Sequence, residues 1–192
     1  MTDLGFFHYF LGLQVLQTNE GIFLSQYKYV CDLRCFHMDD CKPTPSPFQS
    51  GVKFTTTCTS PEVDATLYRQ LVGSLLYLTH THPDFSYVVG LVARYMKTPH
   101  EIHWKEAKRI LRYVRSIVQF GIHYISGGNP LLVGFTDSDW VGDLDDRNST
   151  TGYVFNLGSW PITWACKKHH AIVLSSAKAE YRTTVNASQE AL

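Results

Sequence analysis

Apolar and polar positions follow an extended pattern at both ends of this chain and a helical one between them. Phe6, Phe7, Tyr9, Phe10, Leu11, Leu13, Val15 and Leu16 form a dense apolar entry that reads as a strand over residues 6–16. Gly21 marks a turn and Ile22–Leu24 a second strand. Ser25 is placed to cap a helix running to about Met38. Residues 42–61, with Pro43, Pro45 and Pro47 among Thr and Ser, read as an extended linker, because proline removes backbone donors and fixes φ.

Helical spacing takes over after that. Leu67, Leu71, Leu75 and Leu78 predict one helix, and Pro83-Asp84 opens another with Phe85, Val88, Val89, Val92 and Met96 on one face. Thr98-Pro99-His100-Glu101 looks like a helix start, with a capping Thr, Pro in the first turn and Glu after it. Trp104, Ala107, Leu111, Val114 and Val118 then make an apolar stripe, Lys105, Lys108, Arg112 and Arg115 make a basic one, and Gly121 is the expected stop. Beyond Gly127-Gly128-Asn129-Pro130 the period becomes extended. Leu131–Thr136, Thr150–Leu157 and Pro161–Cys166 are strand candidates, and Ser175 or Ser176 starts a last helix. The expectation is an α/β (α+β) chain with a boundary near residue 128.

Composition narrows this picture. The 192 residues are 44% hydrophobic and 18% charged, proportions of a folded protein. Lys+Arg and Asp+Glu both total 17, so any nucleic-acid contact must come from a local patch such as the basic stripe. On spacing alone that stripe reads first as a solvated face. Five cysteines without a C-x-x-C pair read as reduced thiols of an intracellular protein, not as a zinc site. No basic n-region precedes the apolar start, and no apolar run has the length of a membrane span, so neither a signal peptide nor a membrane partner is expected.

The chemistry-bearing residues lie late. Asp137 ends an apolar strand, with Asp139, Asp143, Asp145 and Asp146 following it. Glu180 lies on the last helix. A strand, a hairpin, a strand and a helix would return the chain to the first strand's rim, where Asp137 and Glu180 could share a divalent ion. Phosphodiester hydrolysis by two metals needs several such carboxylates.

The strings GFTDSDWVGDLDDRNSTTGYVFNLG and WPITWACKKHHAIVLSSAKAEY resemble the RNase H domain of copia-type retrotransposon polyproteins, a family abundant in plants. Upstream, DLGFFHYFLGLQV, GIFLSQYKYV, DDCKPTPSP, YRQLVGSLLYLTHTHPDFSYVVG and HWKEAKRILRYV resemble the reverse transcriptase thumb and connection of that family, so the match covers essentially the whole chain. The resemblance implies a thumb/connection region over 1–128 and a truncated RNase H-like fold, three antiparallel strands plus one helix, over 129–192. It implies catalytic and Mg²⁺-binding roles for Asp137 and Glu180, and phosphate contacts for Lys105, Lys108, Arg112 and Arg115 on an RNA–DNA hybrid or template–primer duplex.

The resemblance also implies gaps. The polymerase carboxylates belong upstream of Asp3-Leu4-Gly5, and the third RNase H Asp and the acidic residue after it belong beyond Leu192. Two of four metal ligands remain, so the chain is expected to hold no Mg²⁺ tightly, to be inactive alone, and to need the missing parts of the polyprotein as partners. Lys178 stands where the family has an acid, Thr183 where it has Ala, and His82 where it has Arg. Two alternatives accompany this reading. One is a nucleic-acid-binding module completed by another chain. The other is a secreted effector carrying Arg109-Ile110-Leu111-Arg112 as an Arg-x-Leu-Arg tetrapeptide, which the pattern opposes because Leu111 belongs to the apolar stripe.

Overall fold

A computed structural model describes residues 8–36, 41–49, 51–52, 54–55, 59–127, 129–139, 150–168 and 175–190. The described residues form two antiparallel sheets and a layer of helices packed on one another. The first sheet runs in the order β1 (Tyr9–Phe10), β2 (Leu13–Thr18), β3 (Gly21–Ser25) and β4 (Gly121–Ile125). Its entry is thus a tight hairpin, not the single strand expected over residues 6–16. Leu11 and Gly12 take φ of 49° and 81°, and a side chain on Gly12 would strike the Tyr77 hydroxyl. That hydroxyl donates to the Leu11 carbonyl at 2.8 Å and pins the turn.

α1 (Tyr27–Asp32) follows, shorter than expected, and passes into a 3-10 turn at Leu33–Phe36. Its N-cap is Gln26, whose side chain serves elsewhere, and not Ser25. α2 (Ala65–Leu78) is capped by Asp64, which accepts from the Thr66 and Leu67 amides at 2.7 and 3.3 Å. A 3-10 turn at Pro83–Phe85 leads into α3 (Ser86–Ala93), and α4 spans Glu101–Ser116. Tyr68, Leu71, Val72, Leu75 and Leu78 of α2 bury against Val88, Val89 and Val92 of α3 and Ala107, Ile110, Leu111 and Val114 of α4. Leu67, expected in the stripe, is 41% exposed, and the neighbouring Tyr68 takes its place, donating to the Val92 carbonyl at 2.7 Å.

α4 begins two residues later than the Thr98-Pro99 pattern suggests. Residues 61–63 pair with 99–101: the Val63 amide donates to the Pro99 carbonyl at 3.0 Å and the Glu101 amide to the Pro61 carbonyl at 2.9 Å. This pairing holds His100 extended (φ −113°, ψ 169°), so His100 becomes the cap and its amide donates to His103 Nδ1 at 3.0 Å. The buried stripe shifts accordingly. His103, Ile110 and Ile117 are interior, while Trp104 and Val118 are half-buried. Gly121 does not merely stop the helix. It opens β4, a strand the pattern did not predict, and a side chain there would strike the Leu24 carbonyl of β3.

The described part of the proline-rich segment is irregular, as its prolines require, yet it is packed. The Thr44 amide donates to the Arg112 carbonyl at 3.3 Å, Arg112 Nε donates to the Lys42 carbonyl at 2.8 Å, and Phe54 is buried beside Tyr95 and His103. It straps α4; it is not a free linker.

The second sheet has the order β5 (Leu132–Asp139), β6 (Thr150–Leu157), β7 (Trp160–Lys168), and α5 (Ser176–Glu190) lies against it. The passage between sheets falls between Ile125 and Leu132. Hydrogen bonds that tie the halves include Arg94 Nη2 to Thr150 Oγ1 at 2.7 Å, Trp164 Nε1 to the Thr79 carbonyl at 2.9 Å, and Tyr124 Oη to the Pro161 carbonyl at 2.9 Å.

Candidate functional site

Successive side chains of a strand point to opposite faces, so register decides what Asp137 meets. Ser138 pairs with Thr151, and Asp137 with Gly152, which pairs in turn with Cys166. Thr151 Oγ1 lies 3.2 Å from Thr183 Oγ1, which marks its face as the one α5 covers. Asp137 therefore belongs to the other face, with Phe135, Val154, Trp164 and Cys166. These residues and Tyr87 of α3 line a cleft of about 610 Å³. The cleft is largely apolar, and burial pushes the Cys166 thiol up, against the opposing effect of Arg94, so the thiol is neutral.

Glu180 stands on α5. The Ser175 hydroxyl accepts from the Lys178 amide at 3.3 Å and caps this helix, as the sequence suggests. Ala179, Thr183 and Ala187 are its buried stripe, small enough to let it lie close on the sheet. Thr183 spends its hydroxyl on the Ala179 carbonyl at 3.0 Å as well as on Thr151, so a Thr is accommodated where the resembled family has Ala. The turn of α5 carrying Glu180 and Thr183 thus sits level with Thr151, and so with Ser138 and Asp137 across the ladder. Asp137 thus lies on the strand at the edge of the described sheet, and Glu180 on the helix that covers the opposite face. Both residues are exposed. Ser138, on the α5 face, has a buried hydroxyl without a partner.

Among the described residues no group of three or more His, Cys, Asp or Glu side chains converges as a metal site. Asp143, Asp145 and Asp146 lie outside the described residues. Two exposed carboxylates on opposite faces fall short of what Mg²⁺ needs, since it dehydrates reluctantly and demands near-octahedral oxygen ligation. The described residues do not fit a tight Mg²⁺ site.

The basic stripe follows one side of α4, and its members are engaged within the chain. Lys105 pairs with Glu101 at 2.8 Å, with both side chains largely in solvent. Lys108 sits 4.9 Å from the centroid of the Trp104 ring, and Arg112 reaches the Lys42 carbonyl. Arg115 is exposed in the last turn. The Arg109–Arg112 tetrapeptide lies in mid-helix, with Ile110 and Leu111 buried. No helix among the described residues is long and apolar enough to cross a membrane.

Comparison with known proteins is unambiguous at the level of family. The chain is 41% identical over 184 residues, 95% of its length, to the retrovirus-related Pol polyprotein from transposon RE2 of Arabidopsis thaliana. It is equally similar, 41% over the same share, to that from transposon RE1 of the same plant. In each case it spans 13% of the relative's length. It is also 38% identical over 126 residues, 65% of this chain and 89% of the relative, to secreted RxLR effector protein 161 of Plasmopara viticola. No family model matches the chain, and no solved structure matches it.

Proposed function

The chain belongs to the Pol polyproteins of copia-type retrotransposons, and from that premise we propose that it runs from the reverse transcriptase thumb and connection into an RNase H domain and has no activity of its own. One observation carries this reading. Three consecutive antiparallel strands lead into a helix that returns to the first of them, setting the Glu180 turn level with Asp137. The carboxylates need further ligands before Mg²⁺ can activate water and stabilise a leaving oxygen on a scissile phosphate. In this chain Asp137 and Glu180 are the remnant of that set, and Lys178, two residues before Glu180, opposes a cation. The parent polyprotein would supply the rest.

Lys105, Lys108, Arg112 and Arg115 support a weak grip on RNA–DNA hybrid or template–primer duplex, because they repeat along one side of α4. The intramolecular partners of Lys105, Lys108 and Arg112 must be given up for that grip, which keeps it weak. The effector reading needs an accessible Arg-x-Leu-Arg segment. The burial of Ile110 and Leu111 favours the polyprotein instead.

The test is direct. The purified chain is incubated with RNA–DNA hybrid in Mg²⁺ or Mn²⁺, and duplex affinity is followed against salt. No cleavage is expected, and log affinity should fall with log salt at a slope no steeper than about −3.6, or −0.9 for each of four phosphate contacts. Hybrid cleavage that Asp137→Asn abolishes would overturn the inactive reading and leave a module that needs no other chain.

A further inference from the structure

α5 lies over β5 and β6, so the same side of β7 stays open. A groove of about 370 Å³ runs there, between the second half of α5 and the β6–β7 pair. Lys167, Asn186 and Gln189 line it, with Tyr153 on its floor and Glu190 at its end. Lys167 pairs with Thr151 across the ladder, and directly opposite residues share a face. Thr151 Oγ1 meets Thr183 of α5, so Lys167 belongs to the α5 side, where it is exposed.

Helix geometry extends this lining. Lys178 and Arg182 stand eight and four residues before Asn186, within about 80° of it around the helix. Glu180 lies about 200° around the helix from Arg182, on the other side. At 1.5 Å per residue, Lys178, Arg182, Asn186 and Gln189 form a row of donors roughly 16 Å long. Among the described residues, none of Lys167, Lys178 and Arg182 has an ion pair or a side-chain hydrogen bond. The α4 stripe, by contrast, must release partners before it can hold anything else. The chain is neutral overall, yet from Lys167 to Arg182 it carries Lys167, Lys168, Lys178 and Arg182 against Glu180 alone. Glu190, two turns beyond Arg182, accepts from the Tyr153 hydroxyl and closes the groove to anions at that end.

Unpaired cations followed by amide donors suit a ligand with repeated negative charge, and Lys, Arg, Asn and Gln are among the side chains that hold nucleic-acid backbones. A lone phosphate would use one step of the row and leave the rest idle. A rigid duplex is too broad to enter a groove walled by a helix, whereas one flexible strand can lie along it. We propose that this groove binds single-stranded nucleic acid through its phosphates, with Lys167, Lys178 and Arg182 as the charged contacts. The proposal rests on the reading of the chain as one that meets nucleic acid, and it uses the half of the molecule that the α4 stripe does not.

Fluorescence anisotropy of the whole chain with labelled oligothymidylate and labelled oligouridylate tests it. Both should bind, with log affinity falling against log salt at a slope of about −2, or −0.7 for each of three phosphate contacts. Lys167→Gln, Lys178→Gln and Arg182→Gln should each flatten that slope by about 0.7, and together they should weaken binding at least about tenfold. Arg182→Lys, which keeps the charge, should preserve the slope, and Lys97→Gln, which removes an exposed charge elsewhere, should change nothing. Circular dichroism checks that the variants fold. Competition in the unaltered chain needs no variant: unlabelled duplex, or inorganic phosphate at equal phosphate concentration, should displace the labelled strand at least about tenfold less well than the unlabelled strand does. Absence of binding, an unchanged slope in the triple variant, or equal displacement by duplex or by inorganic phosphate would overturn the proposal. Failure of the α4 stripe to hold duplex would count against the earlier reading alone, because the α5 variants report on a separate surface.

Discussion

The helical layer and the second sheet both carry large apolar side chains, yet they bury them very differently. In the helical layer Leu71, Val72, Leu75, Leu78, Phe85, Val89, Val92 and Ile110 are sealed from solvent. In the second sheet and α5, Phe155, Ala179 and Ala187 are the buried apolar side chains among the described residues, while Phe135 is 58% and Ile162 46% exposed. Area removed from water is what stabilises a fold, at about 25 cal/mol per Å², so stability must be concentrated in the first half. Asp137 and Glu180 sit in the weaker half, Asp137 on the strand at the edge of the described sheet and Glu180 on α5. A site that needs its ligands fixed in place is poorly served there until something covers the sheet.

The sharpest way to break this comparison is truncation on each side of it. Leu75→Ala should destabilise the chain by about 2–5 kcal/mol, the usual cost of emptying a sealed core position. Ile162→Ala, on the exposed strand, should stay within about 0.5 kcal/mol. Urea denaturation of both variants measures the difference, and equal losses would show that the sheet is as well packed as the helices.

A smaller effect sharpens the link between the halves. Trp164→Phe keeps a ring but leaves the Thr79 carbonyl without its donor, a loss of about 0.5–1.5 kcal/mol. If the halves are coupled through this bond, Tyr124 and Arg94, amides of β6 and β7 should exchange with solvent faster in the variant while those of α2 hold. Uniform acceleration across the chain would mean that the two halves open as one unit.

The smallest effect is a dependence on pH with two opposing parts. His82 has its folded pKa below its ordinary value of 6.5, chiefly through burial. Between those two values the unfolded chain binds a proton that the folded chain does not, so this group's contribution to stability rises with pH up to 6.5 and is lost as pH falls. Glu106, buried under the Gln49 amide, has its folded pKa above its ordinary 4.5, again chiefly through burial. There the folded chain holds the extra proton, and stability falls as pH rises through the window above 4.5. His82→Asn should remove the first slope and leave the second. Urea midpoints at about pH 5 and about pH 7 would then converge or reverse their order. An unchanged profile would place the titration elsewhere.

Much of this was legible in the chain itself. Period fixed the type of each long element, because burying one face of a helix or strand leaves a repeat that no neighbour can alter. Ser175 before α5 acts within one turn of its own position, so local sequence sufficed for it; the Asp64 cap of α2 is equally local but was not read from the sequence. What failed to show were the positions that depend on distant segments. Tyr68 displaced Leu67 because α3 supplies the Val92 carbonyl for its hydroxyl. The start of α4 moved because residues 61–63 pair with 99–101. β4 passed unseen because five residues after a helix have no pattern of their own until β3 offers an edge. The same limit governs the candidate sites. Asp137 and Glu180 were identifiable as carboxylates from the strings around them, but only strand register and the Thr151–Thr183 contact decided that they share a height and not a face. Lys167 and Arg182 lie on different elements, and they share a groove only because α5 lies over β5 and β6 and leaves the same side of β7 open. No linear pattern records which strand a helix leaves uncovered when distant segments close on one another.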